Sequence, residues 1–167
     1  KASEENIPRG EIEDLNYNFI TMGQKAYNGV AILSKFPISD IIYNLPTYEE
    51  DDQARYIEAW INIGEKGIRV ASLYAPNGNP VGTEKFSYKL NWLGRFQQYA
   101  LKLLEFEEYT IIGGDFNICP SAFDAANEEL LTNDAIYTKE AKNIYRNIIN
   151  NGYYDAFRSL NSNEQGF

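Results

Sequence analysis

The stretch from Tyr56 to Tyr74 constrains the fold more than any other part of the sequence. Residues 56–63 (YIEAWINI) alternate, with Ile57, Ala59, Ile61 and Ile63 on one side and Tyr56, Glu58, Trp60 and Asn62 on the other. That is the period of a strand with one apolar face. Gly64-Glu65-Lys66-Gly67 has the composition of a hairpin turn, and residues 68–74 (IRVASLY) read as the partner strand. A hairpin with an apolar face has to bury it against another layer, so the chain is built around packed sheets.

The remaining elements follow from period and punctuation. Pro8 to Leu15 predicts a short helix with proline in its first turn. Asn18 to Met22 and Ile38 to Tyr43 predict strands. Gly29 to Leu33 (GVAIL) is a continuous apolar run, which predicts a strand buried on both faces. Thr83 to Phe106 is a long helix, with Phe86, Leu90, Leu93, Ala100, Leu103 and Leu104 near a 3.6 period and Lys85, Lys89, Arg95 and Lys102 among them. Gly94 interrupts it at a cost of about 1 kcal/mol relative to Ala. Thr110 to Gly114 (TIIGG) predicts a short buried strand. Lys139 to Asn151 predicts a second helix, capped by Thr138, ended by Gly152, and facing inward with Ala141, Ile144, Tyr145, Ile148 and Ile149. Hairpin strands followed by helix, strand and helix make a mixed-sheet α/β or α+β fold. The chain's 167 residues fit one domain spanning 1–167.

Composition removes several chemistries. There is no His, so neither a Ser-His-Asp nor a Cys-His catalytic pair nor a His-built zinc site can form. Cys119 is the one cysteine, which excludes an internal disulfide and fits a reducing, cytoplasmic setting. No apolar run reaches the roughly 18 residues of a membrane span. With 15 Lys+Arg and 24 Asp+Glu the net charge is 15 − 24 = −9. Such a balance speaks against a broad nucleic-acid-binding surface. It does not exclude phosphate chemistry around a divalent cation, which supplies positive charge locally. The densest charge run, Glu49-Glu50-Asp51-Asp52, reads as a solvated loop. The first residue is Lys1, with no signal-peptide pattern after it, and the chain is expected to begin inside a longer gene product.

Four segments carry candidate chemistry. In Gly113-Gly114-Asp115-Phe116-Asn117 a strand ends in two glycines and then Asp-x-Asn. If the backbone stays extended, Asp115 and Asn117 project to one face. An acceptor beside a neutral donor suits activation of a water while a phosphoryl oxygen is held. An Asx-turn that only closes the strand explains the same residues. In Tyr74-Ala75-Pro76-Asn77-Gly78-Asn79-Pro80, Tyr74 and Asn77 could meet an anionic substrate, or Tyr74 could pack at the rim of the core. In Gly23-Gln24-Lys25-Ala26-Tyr27-Asn28-Gly29, Lys25 and Tyr27 could grip a nucleic-acid backbone, or the segment could be an ordinary hairpin turn. Arg55, in Gln53-Ala54-Arg55, could contact phosphate or pair with the acidic run before it, the more economical reading.

Taken in order, YNGVAILSKFPI, DDQARYIEAWI, VASLYAPNGNPVGTEKFSYKLNWL and IIGGDFNICP resemble bacterial exodeoxyribonuclease III, of the endonuclease/exonuclease/phosphatase superfamily. The resemblance runs through nearly the whole chain. It implies a four-layer α/β sandwich of two packed mixed sheets flanked by helices, incomplete at both termini. It implies a monomeric, bacterial, Mg²⁺-dependent (or Mn²⁺-dependent) DNA repair nuclease. Such an enzyme acts on double-stranded DNA, as a 3′→5′ exonuclease and an endonuclease at abasic sites or blocked 3′ ends. By the resemblance Asp115 activates the water, Asn117 bonds the scissile phosphate, and Tyr74 sits against the phosphate or leaving oxygen. Asn77, Arg55, Lys25 and Tyr27 fall where relatives touch the DNA backbone, and Asp115 and Asn117 are the candidate metal contacts.

The chain departs from that family at both ends. Lys1 looks like the Lys of a Gln-Glu-x-Lys segment whose Glu binds metal, and that Glu would precede it. The Ser-Asp-His segment with the family's terminal Asp and His has no counterpart before Phe167. The parent protein is therefore expected to be active and residues 1–167 alone to show little or no turnover. Two other readings compete: a superfamily phosphatase or phosphodiesterase acting on a small or lipid phosphate ester, and a non-catalytic binding fold.

Overall fold

A computed structural model describes residues 4–46, 51–162 and 164–166. Lys1, Glu49, Glu50 and Phe167 lie outside them. The chain gathers into two compact units, one from residues 1–74 and 106–116 and the other from 75–105 and 117–167.

The first unit holds the sheets. β1 (Asn18–Met22) and β2 (Val30–Ser34) pair antiparallel, with Asn18 opposite Ser34 and Met22 opposite Val30. β3 (Ile38–Tyr43), β4 (Tyr56–Ile63), β5 (Lys66–Tyr74) and β6 (Thr110–Asp115) form a second sheet in that spatial order. Its pairs are antiparallel except β5 with β6, which run parallel. The expected hairpin between β4 and β5 closes more tightly than its composition suggests. Ile63 pairs with Lys66, so only Gly64 and Glu65 form the loop. Gly64 takes φ +64°, the left-handed conformation that two-residue hairpins favour. A helix, α1 (Arg9–Asp14), precedes the strands, as expected.

The apolar face of β4 does what its alternation predicts. Ile57, Ala59 and Ile61 pack against Val30 and Ile32 of β2, with Ile20, Met22, Ile38, Ile68, Val70 and Tyr74 around them. This joins the two sheets face to face. Two expectations need correction. β2 is not buried on both faces, because burial alternates along it and Leu33 is half exposed. A two-stranded sheet covers its partner with one face only, and a continuous apolar run cannot reveal that. Nor is β6 a buried strand. It is the last strand of its sheet, and Ile111 is 55% exposed among the described residues.

The second unit is helical. α2 (Glu84–Leu104) buries Trp92, Leu93, Phe96, Tyr99, Ala100 and Leu103, and the Trp92 and Phe96 rings stack with centroids 5.7 Å apart. α3 (Lys139–Asn150) lies against α2 and buries Ala141 and Ile148. The Thr138 side chain caps α3 by accepting from Ala141 N–H. The ends of the two helices meet at Gly152, where a Cβ would stand 3.1 Å from Leu104 Cδ1. Beyond it, Tyr153 Oη donates to Ala100 O at 2.8 Å. A short α4 (Ala156–Leu160), capped by Asp155, was not expected, since five residues give no readable period. No helix among the described residues is long and apolar enough to cross a membrane.

Gly94 serves no packing need. A Cβ there meets nothing within 4 Å outside its own helix turns. Gly94→Ala is therefore expected to stabilise the protein by about 1 kcal/mol. A urea titration showing no gain, or a loss, would contradict the assignment of this site as open.

Candidate active site

The parallel ladder places two of the candidate residues together. Starting from Arg69 opposite Thr110, the register brings Tyr74 opposite Asp115 at the carboxyl ends of β5 and β6. Partners in such a ladder lie about 4.8 Å apart and present their side chains to the same face. Asp115 is exposed, while Tyr74 is partly buried and packs on the edge of the sheet core. So the core-rim reading of Tyr74 describes where its ring lies, and its neighbour is the carboxylate. The two glycines before Asp115 have separate causes. At Gly114, with φ +132°, a Cβ would stand 2.0 Å from Leu73 O, so strand pairing itself demands glycine. At Gly113 a Cβ would meet nothing within 4 Å.

A polar network fixes Tyr74 from the other side. Arg55 Nη1 donates to Tyr74 O at 3.0 Å, and its guanidinium carbon lies 5.4 Å from the Tyr74 ring centroid. Arg55 Nε donates to Gln53 Oε1 at 2.9 Å. Buried Asn28 donates from Nδ2 both to Gln53 Oε1 and to Gln24 Oε1, at 3.1 and 3.2 Å. Gln24 Oε1 also accepts from Ala54 N at 2.8 Å. The 23–29 segment is thus no simple hairpin turn. Ala26, Asn28 and Gly29 all have positive φ, and the loop is pinned to residues 53–55 by side-chain amides. Lys25 and Tyr27 stand on its exposed surface, with Tyr27 72% exposed. Gln24, Asn28 and Gln53 hold this loop to Arg55, a structural part that the sequence did not mark. The one available signal is the Asn28-Gly29 pair, which favours left-handed backbone.

In the second unit, Asn117 and Asn77 come together. Asn77 Nδ2 lies 3.4 Å from Asn117 Oδ1, and Asn117 Nδ2 donates to Ala75 O at 2.8 Å. Asn77 Oδ1 accepts from Asn79 N at 3.1 Å, an Asx-turn. Asn79 in turn bonds Asp134 Oδ1 and Ala135 N, both at 2.9 Å, and the Asn79–Pro80 peptide is cis. The reason first given for Asp115 and Asn117 sharing a face needs correction. Strand β6 ends at Asp115, and Asn117 takes φ +48°, so extended alternation does not continue through it. Asn tolerates that conformation better than other non-glycine residues.

The first unit offers one exposed carboxylate, one phenol and one arginine, and the second offers paired amides. Cys119 offers no nucleophile. It is buried, its Sγ donates to Ser121 O and Asp124 O, and burial raises its thiol pKa. No group of three or more His, Cys, Asp or Glu able to hold a metal occurs among the described residues. Asp115 and Asn117 are the oxygen-bearing side chains at the end of β6 that a cation could contact.

Comparison with known proteins places this arrangement. Residues 2–164 match the model of the Endonuclease/Exonuclease/phosphatase family. Exodeoxyribonuclease III of Haemophilus influenzae is 32% identical over 168 residues, covering 96% of this chain and 63% of that protein. The structure of an AP endonuclease from Archaeoglobus fulgidus superposes with a TM-score of 0.91 at 30% identity, covering 100% of this chain and 63% of that one. A 3′ phosphatase from Neisseria, solved with a product DNA hairpin, gives a TM-score of 0.89 at 26% identity, covering 98% of this chain and 62% of that one. The chain spans less than two thirds of the length of each of these relatives. With the family match running across both compact units, the chain belongs to the endonuclease/exonuclease/phosphatase family, on its exodeoxyribonuclease III branch.

Proposed function

We propose that the protein is a DNA repair phosphodiesterase, acting as a 3′→5′ exonuclease and as an endonuclease at abasic sites. Both compact units are halves of one such domain, and it works as a monomer in a bacterial cytoplasm. Its substrate is double-stranded DNA with abasic sites or blocked 3′ ends, and its cofactor is Mg²⁺ or Mn²⁺. The observation that carries the reading is Tyr74 beside Asp115 at the ends of adjacent parallel strands, in a chain of this family. A divalent cation, with Asp115 and Asn117 as its candidate contacts, would supply charge for the developing phosphorane.

In this reading Asp115 takes a proton from the attacking water as its oxygen bonds to phosphorus. The bond from phosphorus to the leaving oxygen then breaks. The Asn117 amide donates to a phosphoryl oxygen, and the Tyr74 phenol faces the phosphate or the leaving oxygen. Arg55 holds Tyr74 by its carbonyl and ring, and with Asn77, Lys25 and Tyr27 it meets the DNA backbone. Those backbone contacts give binding that weakens with salt.

The test assays the native gene product on duplex DNA with one abasic site, with and without a chelator, and in parallel on inositol phosphates. A chelator-sensitive nick is expected, with no phosphate released from the inositol compounds. The reverse pattern would favour a small-ester phosphatase and overturn this reading.

A further inference from the structure

Lys89 is 0% exposed on a helix whose neighbouring inward residues, Trp92, Leu93 and Phe96, are apolar. A buried ammonium persists only where hydrogen bonds replace its water. Lys89 Nζ donates to Asn117 O at 2.6 Å, Ala135 O at 2.9 Å and Asn77 O at 3.1 Å. An ammonium has three donors, so these carbonyls account for all of them. Two belong to the asparagines that the proposed mechanism places on phosphate. The third follows Asp134, which holds Asn79 of the same loop.

The loop is shaped to admit this side chain. Gly78, between Asn77 and Asn79, has φ +85°, and a Cβ there would stand 2.5 Å from Lys89 Cδ. Glycine at 78 therefore makes room for the lysine stem as well as for the turn. At Asn117 the ammonium clamps the carbonyl of a residue with φ +48°, a conformation that costs energy for any side chain. The lysine ties residues 77, 117 and 135 to one point on α2.

We propose that Lys89 is a positioning residue for the phosphate-contacting asparagines: it fixes the backbone of Asn117 and Asn77 so that their amides meet the phosphoryl oxygen. It touches no substrate. The inference rests on the assignment of Asn117 under Proposed function, and its test separates the two.

Lys89→Met, Asn117→Ala and their double variant are compared in the native gene product, on abasic duplex DNA with Mg²⁺. Asn117→Ala is expected to lower kcat by about 10²–10³-fold, the usual loss for a donor to developing negative charge. Lys89→Met is expected to lower kcat by about 10–10²-fold, as for a misplaced contact group, with KM little changed. In the double variant the losses should not multiply, because without the Asn117 amide there is less left to misplace. A lysine that only stabilises the fold would lower the melting temperature, leave kcat below it unchanged, and give no coupling. If Lys89→Met does not fold, Lys89→Gln, which keeps two donors, is put through the same cycle. Full turnover in the lysine variant, or losses that multiply, would overturn the positioning role. Full turnover in Asn117→Ala would overturn the phosphate assignment beneath it.

Discussion

Asp115→Asn in the native gene product is expected to cut turnover on abasic duplex DNA by about 10²–10⁴-fold, the range a positioned general base contributes. The substitution is nearly isosteric and removes the proton acceptor. Asp115 is exposed at the end of β6. Unfolding free energy should move by no more than about 1 kcal/mol, since the near-isosteric side chain stays exposed. Substrate affinity should be kept or slightly improved, since one negative charge near the DNA backbone is gone. Kinetics and a urea titration on the same preparation check all three. A variant that turns over like the parent would sink the base assignment. A variant that unfolds would show that Asp115 closes the strand, the Asx-turn explanation of the segment.

The sequence made the sheets legible because their signals were local. The 56–74 hairpin declared itself by alternation and turn composition, and the boundaries of β1, β3 and β4 fell where read. What it hid was any property set by position in a sheet. The run at Gly29 to Leu33 and the run at Thr110 to Gly114 are both apolar, yet exposure alternates along each, with Leu33 and Ile111 on the open side. The candidate site was legible as residue types and only partly as geometry. Tyr74 and Asp115 lie opposite each other through the register of β5 and β6, which alternation within one strand cannot supply. Lys89 was not picked out, because a lysine in phase with an apolar stripe looks like any other on a helix. Its carbonyl partners, at 77, 117 and 135, come from three separate loops. Glu58 was assigned to the polar side of its strand, and it is fully buried.

That burial sets up the largest expected effect on stability. Glu58, at 0% exposure, accepts from Tyr56 Oη at 2.5 Å and from Arg69 Nη1 at 2.7 Å. Arg69 stands diagonally across the β4–β5 ladder, opposite Trp60, with its guanidinium carbon 5.8 Å from that ring. Its Nε bonds Glu108 at 2.5 Å. The Glu108 bond, working against burial and aided by Glu58, holds the Arg69 pKa well above the ordinary arginine value, so the group stays charged. Breaking such a pair from one side takes the Arg69 guanidinium away from a fully buried carboxylate. Arg69→Met should therefore cost about 3–5 kcal/mol. Removing the charge from the other side is milder. Glu58→Gln keeps an acceptor for Tyr56 and leaves Arg69 its bond to Glu108, so its cost should be clearly smaller. The double variant Glu58→Leu with Arg69→Met buries no orphan charge and should recover much of the loss, though Tyr56 Oη then needs a new acceptor. Urea midpoints for the three variants decide it. If Arg69→Met costs under about 1 kcal/mol, or the double variant is no better than the single one, Glu58 is not held by its cation. The sheet would then draw its stability from the apolar face of β4 alone.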